Sequence, residues 1–206
     1  MELSEAYDEA LVWAAGLHRA QERKGSGIPY LSHLLAVSGL VMEHGGDEEQ
    51  AIAGLLHDSI EDQGVTDAEI EDRFGARVAV IVRACTDADT DPKPPWRARK
   101  EAYIAHLATA PADALLVSLC DKVHNARTIA ADIERRGEAY FDVFTGGPDG
   151  TRWYYRRLLD AFERRSGQLP AESDCLGGRS LLTDLATSAE RIGATEAVAA
   201  AYDRAG

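Results

Sequence analysis

Apolar residues recur at helical spacing along most of the chain. Leu3, Tyr7, Ala10, Leu11, Ala14 and Leu17 share one face of a helix predicted over 3–22, which ends at the loop Lys24-Gly25-Ser26-Gly27. A second helix is expected over 31–44, stopping at Gly45-Gly46. Asp47-Glu48-Glu49-Gln50 has the form of a capping box and opens a helix to about residue 58; Thr66-Asp67-Ala68-Glu69 is a second box, for a helix ending near 74. Helices over 78–85, 96–109 and 111–136 follow, with Pro111 suited to a first helical position. The segment 86–95 is so rich in Asp and Pro that it reads as a loop, and 145–150 reads as another. A helix over 152–165 and two weaker ones over 179–192 and 195–202 complete the pattern, with no period-2 alternation and no internal repeat. The fold class is therefore expected to be all-α.

A chain of 206 residues, 45% apolar and 28% charged, is expected to fold as one domain, at roughly 150 residues per domain. The longest apolar runs, 10–15 and 197–202, are far shorter than the roughly 20 residues a membrane span needs. The acidic N-terminus lacks a secretory pattern, so the expected location is cytoplasmic. Cys85, Cys120 and Cys175 are odd in number and widely spaced, which argues against a disulfide framework or a thiolate metal site; Cys85 and Cys120 are expected to pack in apolar surroundings.

Lys and Arg number 22 against 35 Asp and Glu, a net charge of −13. That balance disfavours nucleic acid and anionic membrane as partners, since both need a basic footprint. It does not exclude a compact anion. Arg19, Arg23 and Lys24 cluster, as do Lys93, Arg97, Arg99 and Lys100, and again Arg152, Arg156, Arg157, Arg164 and Arg165.

The sharpest chemical feature is Leu55-Leu56-His57-Asp58-Ser59-Ile60-Glu61-Asp62. If the helix persists, Glu61 and Asp62 lie one turn after His57 and Asp58, crowding three carboxylates and an imidazole in a way that a cation would relieve; a solvated helix end is the plainer alternative. Asp121 follows the apolar run 114–120, where a carboxylate needs either a metal or an ordinary ion pair with Lys122 or Arg127. Asn125 lies one turn on and faces the same way. His33, on the first turn of an apolar helix, is by itself more in keeping with a packed core or boundary residue than with a ligand, and so are His18, His44, His106 and His124. Taken together, His33, His57, Asp58 and Asp121 would make a mixed nitrogen and oxygen site suited to Mn²⁺, Fe²⁺ or Zn²⁺. Arg23-Lys24-Gly25-Ser26-Gly27 offers two cations and flexible amides for a phosphate. Asp87-x-Asp89-x-Asp91 is not a calcium loop, because Pro92 takes the place of its turn glycine and Ala98 that of its terminal Glu.

Three blocks in order, His18-x-x-Gln21-x-Arg23-Lys24-x-Ser26-Gly27-x-Pro29-Tyr30-x-x-His33-Leu34, Leu55-Leu56-His57-Asp58-x-x-Glu61-Asp62 and Asp121-Lys122-x-x-Asn125-x-Arg127, resemble the HD-domain phosphohydrolases. More narrowly, they resemble the RelA/SpoT-like hydrolase domain found alone in small alarmone hydrolases. The resemblance implies an HD-domain helical bundle over 1–165, with 166–206 a helical extension of unassigned role. It implies that His33, His57, Asp58 and Asp121 hold one divalent ion, usually Mn²⁺, and that Glu61 and Asp62 handle the attacking water. Arg23, Lys24, Ser26 and Asn125 fall where the family contacts its nucleotide, and Tyr154, in preference to Tyr155, matches a late-helix tyrosine that also does so. The implied reaction is hydrolysis of the 3′-pyrophosphate of (p)ppGpp, the alarmone of the stringent response, to GDP or GTP and pyrophosphate. The chain is too short for the synthetase domain of the long bifunctional relatives. Gln63 stands where a Thr is common, and the 91–100 loop is unusually rich in proline. Other substrates for such a site are an adenosine alarmone, a nucleoside monophosphate or a phosphorylated dinucleotide, and a non-catalytic sensor is a further alternative. The sequence leaves the formation of a homo-oligomer open.

Overall fold

The computed structural model describes residues 2–87, 90, 92–171 and 180–205. Among them every element is helical, apart from one isolated antiparallel bridge between Glu22 and Pro29, in accord with the all-α expectation. No helix among these residues is long and apolar enough to cross a membrane.

Helix α1 (Glu5–Leu17) begins where the Ser4 hydroxyl accepts the Ala6 N–H at 3.2 Å. It ends earlier than the predicted 3–22, because the chain turns at His18 and folds back through the Glu22–Pro29 bridge to start α2 (Leu31–Glu43). Helix α3 (Glu48–Leu56) opens on the expected capping box: Asp47 Oδ1 accepts from Gln50 N and Gln50 Oε1 from Asp47 N, both at 3.0 Å. From Gln50 to Leu56 every residue of α3 is buried, which places this helix at the centre, between α1 and α2. A Cβ at Gly54 would come within 3.0 Å of Ser38 Cα, so the glycine permits the close antiparallel approach that sets His57 beside His33.

The predicted helix 47–58 breaks before its end. His57 keeps helical angles but Asp58 has φ −100° and ψ 1°, and the chain restarts as the short α4 (Ser59–Gln63). Helix α5 (Asp67–Phe74) follows the Thr66/Glu69 capping box and pairs with α6 (Ala76–Cys85). Helix α7 (Trp96–Leu107) leads to the 25-residue α8 (Ala112–Arg136), whose buried face runs from Ala114 through Cys120 to Ala130 and packs on α2, α3 and α6. A 3₁₀ segment, Glu138–Val143, connects it to α9 (Gly147–Glu163).

The start of α9 corrects the reading of 145–150 as a loop. Pro148 lies in the first helical turn, where its missing N–H costs nothing. The glycines there serve contact: a Cβ on Gly146 would come within 2.7 Å of the Trp96 ring. The basic group on this helix is largely consumed internally, with Arg152 on Glu138, Arg156 and Arg157 on Asp160, and Arg157 also on Glu196 and Asp203.

Helices α10 (Leu181–Ile192) and α11 (Glu196–Ala205) close the fold. Leu181, Leu185, Ala189 and Ile192 join the same apolar core as Leu34, Leu55 and Leu115. The Arg97 guanidinium lies 4.1 Å from the Trp153 ring centroid and 4.7 Å from that of Tyr202, and donates to Asp203 Oδ1 at 2.9 Å; Trp153 Nε1 donates to the same oxygen at 2.7 Å. Helix α11 is thereby tied to α7 and α9. Cys85 and Cys120 are buried, as expected, and form no disulfide, while Cys175, Asp89, Asp91 and Arg179, the first residue of the predicted helix 179–192, lie outside the described residues.

Candidate metal centre and active site

Three stretches far apart in sequence meet at one point. His33 comes from the first turn of α2, His57 and Asp58 from the break between α3 and α4, and Asp121 from the middle of α8. His33 Nε2 and His57 Nε2 are 3.3 Å apart; Asp121 Oδ1 lies 3.2 Å from the first and 3.6 Å from the second; Asp58 Oδ2 lies 3.8 Å and 3.0 Å from them. Both histidines and Asp121 are buried. Helix breakage explains the geometry: a continuous helix would carry Asp58 round to its own face, whereas the turn at Asp58 directs its carboxylate back toward His57.

The second atoms of these side chains are fixed from outside. His57 Nδ1 donates to the Gly54 carbonyl at 2.9 Å, which leaves the Nε2 lone pair turned into the cluster. His33 Nδ1 meets His124 Nδ1 at 2.7 Å. Tyr30 Oη donates to Asp58 Oδ2. Asp121 resolves its alternatives by using both oxygens: Oδ2 accepts from Lys122 at 2.6 Å while Oδ1 faces the histidines and accepts from Asn125 Nδ2. Arg127 instead pairs with Asp184.

Charge follows this arrangement. Burial works against ionised Asp58 and Asp121, yet His57 beside Asp58, and Lys122 with the two histidines beside Asp121, hold both carboxyls below the usual carboxylate range. Burial would also keep His57 neutral, but the same two carboxylates raise it well above the ordinary histidine value. His33 is lowered, mainly by burial. Burial, His33 and Arg23 bring His124 down to about 3. Two carboxylates and two imidazole nitrogens at one buried point suit a divalent cation of borderline character, because the carboxylates supply charge and both Nε2 atoms can present lone pairs.

Beside the cluster, Glu61 and Asp62 project from α4. Glu61 Oε1 accepts from Lys93 at 2.9 Å, and Asp62 Oδ2 from Gln21 Nε2 at 2.7 Å. Burial, and then the Asp58 charge, raise the Asp62 carboxyl. Arg23 joins the α1–α2 connection to the centre: its Nη2 donates to Asn125 Oδ1 at 2.8 Å and to Thr128 Oγ1 at 3.2 Å. Ser26 Oγ turns inward to the Arg23 carbonyl at 3.2 Å, and Lys24 is exposed on the same loop. Tyr154 sits apart from this loop, buried against Trp96 with Lys100 Nζ 4.9 Å from its ring centroid, and its hydroxyl has no hydrogen-bond partner among the described residues. Tyr155 is also buried. Asp87 serves Arg99 and Lys100 as an ion-pair partner at 2.7 and 2.6 Å.

Sequence reasoning assigned no role to Tyr30, His124, Gln21 or Lys93. Tyr30 lies three residues before His33, and His124 three after Asp121, so each shares a helical face with a candidate ligand; that spacing was the available signal. Gln21 stands in the first of the three matched blocks and Lys93 in a basic cluster, but both lie on connections, where spacing gives no face and so no partner.

An all-helical bundle that gathers two imidazoles and two carboxylates from separate elements defines a protein built round a mixed histidine–aspartate centre. The chain belongs to the HD-domain family, whose model matches residues 10–146. Among its relatives, the human guanosine-3′,5′-bis(diphosphate) 3′-pyrophosphohydrolase MESH1 is 33% identical over 163 residues, covering 75% of this chain and 89% of that protein. A probable guanosine-3′,5′-bis(diphosphate) 3′-pyrophosphohydrolase from Synechocystis is 35% identical over 125 residues, and the match spans 59% of this chain but only 16% of that longer protein. A solved structure described as a metazoan ortholog of SpoT that hydrolyzes ppGpp and plays a role in starvation responses superposes with a TM-score of 0.69 at 25% identity, covering 95% of this chain and 99% of that one.

Proposed function

We propose that this protein is a metal-dependent hydrolase that removes the 3′-pyrophosphate of (p)ppGpp, releasing pyrophosphate and GDP or GTP. The observation that carries the reading is the convergence of His33, His57, Asp58 and Asp121 on one buried point, with two further acids, Glu61 and Asp62, on the adjoining turn. Kinship with enzymes named for this reaction, over most of the human protein's length, supports the substrate.

His33, His57, Asp58 and Asp121 would hold the ion, with Mn²⁺ the proposed occupant. When bound, such an ion polarises a phosphoryl oxygen and acidifies a nearby water. Everything else falls to the chain. Gly54 and His124 set the ring orientation of the two histidines, and Lys122 and Asn125 keep Asp121 ionised and aimed. Asp62, raised by burial and by Asp58, is suited to take a proton from the attacking water, and Glu61 to orient that water. Arg23, Lys24 and Ser26 face the nucleotide and its phosphates, with Asn125 joining that loop to the centre. Tyr154 is assigned to the nucleotide by its likeness to the late-helix tyrosine of the family, and Lys100 and Trp96 frame its ring.

The test is product analysis with ppGpp, with and without added Mn²⁺. Metal-dependent release of pyrophosphate and GDP is expected. Release of orthophosphate, or faster turnover of adenosine nucleotides, would overturn the substrate assignment.

A further inference from the structure

Asp62 is held from a direction that the metal cluster does not explain. A carboxylate only accepts hydrogen bonds, so the side-chain atom of Gln21 that lies 2.7 Å from Asp62 Oδ2 is its amide nitrogen. Gln21 Oε1 is thereby turned the other way, where it meets two donors: Gln63 Nε2 at 2.6 Å and His18 Nδ1 at 2.7 Å. A flipped Gln21 amide would set oxygen against carboxylate, so the Asp62 contact chooses the orientation, and Gln63 and His18 meet the outward oxygen as donors. The Gln21 backbone is pinned as well, its N–H donating to the His18 carbonyl at 3.1 Å and its carbonyl accepting from Tyr30 N at 2.9 Å. His18 is buried and stacked on Tyr30 with ring centroids 5.4 Å apart, and Tyr30 is the residue that donates to Asp58. The relay therefore starts and ends on α4: Gln63 follows Asp62 in sequence, but its hold on that carboxylate runs out through the α1–α2 connection and back.

We propose that Gln63 and His18, acting through Gln21, are positioning residues that fix the Asp62 carboxylate, engaging Oδ2 and leaving Oδ1 for the attacking water. The proposal rests on the assignment of Asp62 to that water.

Kinetics on ppGpp with Mn²⁺-loaded protein, together with Mn²⁺ affinity by calorimetry and thermal melting, test it. Gln63→Leu keeps the volume and loses the donor; kcat should fall about tenfold with KM and Mn²⁺ affinity within about twofold, since a misaimed group costs rate and not binding. In an Asp62→Ala background, followed by single turnover with excess enzyme, Gln63→Leu should change the residual rate by less than about twofold, because nothing remains to be aimed. Gln63→Lys retains an N–H donor and should stay within about threefold of the parent kcat. Gln21→Met provides the same comparison should Gln63→Leu fail to fold. An unchanged kcat in both Gln63→Leu and Gln21→Met, or an equal loss with and without Asp62, overturns the relay. Full turnover by Asp62→Ala alone would instead overturn the role of Asp62.

Discussion

The Nδ1 atoms of His33 and His124 face one another at 2.7 Å, a contact in which only one ring can carry the hydrogen. His33 must keep Nε2 free to face His57 and Asp121, so its Nδ1 is the donor and His124 the acceptor; the low pKa of His124, about 3, suits an acceptor that stays neutral. His124→Phe should therefore weaken Mn²⁺ binding by about 10- to 100-fold with little change in melting temperature of the metal-free protein, while His124→Gln, which can still accept, should lose less. Calorimetric titration with Mn²⁺ decides this, and an unaltered affinity in His124→Phe would refute it.

Glu61→Gln should retain Mn²⁺ affinity and lose about 100-fold in kcat, the scale expected when the attacking water is no longer held in line. Full ppGpp hydrolysis by this variant would remove Glu61 from the reaction.

Asp121 carries a structural burden beyond ligation. Lys122 is largely enclosed, its side chain 13% exposed, and pairs with Asp121, so Asp121→Ala strips the ammonium of its carboxylate and should cost about 3 kcal/mol of stability even in metal-free protein. The double change Asp121→Ala with Lys122→Met should recover much of that stability without recovering metal binding. Chemical denaturation of the parent, Asp121→Ala, Lys122→Met and the double variant measures both terms, and a metal-free Asp121→Ala as stable as the parent would contradict the argument.

His44 gives a pH dependence remote from the centre. Burial at the end of α2 lowers its pKa in the folded chain. A depressed imidazole binds its proton more readily when unfolded, so its contribution is fully present above the unfolded value near 6.5 and is lost as pH falls below that, by at most ~1.4 kcal/mol per pH unit. His44→Gln should flatten the decline of melting temperature between about pH 7 and pH 5 in metal-free protein. An identical slope in the two proteins would show that His44 does not contribute.

The helical pattern, both capping boxes and the Leu55-Leu56-His57-Asp58 block were legible in the sequence because each depends on neighbours within one or two turns. The end of that helix near residue 58 was legible too, but its restart as α4 and the turn that aims Asp58 at His57 were not, since apolar spacing continues through Ile60 and the partners lie across from it on α2 and α8. Gly146 looked like a loop residue because its reason for being glycine, the Trp96 ring, stands about fifty positions earlier in the chain. For the same reason Asp121 could be marked as needing a partner, while the division of its two oxygens between Lys122 and the histidines required the packed helices.

The distribution of the four donors over α2, the α3–α4 turn and α8 also makes the centre a reversible crosslink. An ion gripping all of them would staple three segments otherwise joined by apolar packing and a few side-chain hydrogen bonds, and would raise the free energy of any opening that separates them. Amide exchange should consequently slow in concert along α2, α3 and α8 when Mn²⁺ is added, while α11, anchored through Arg97 and Asp203, keeps its own rate.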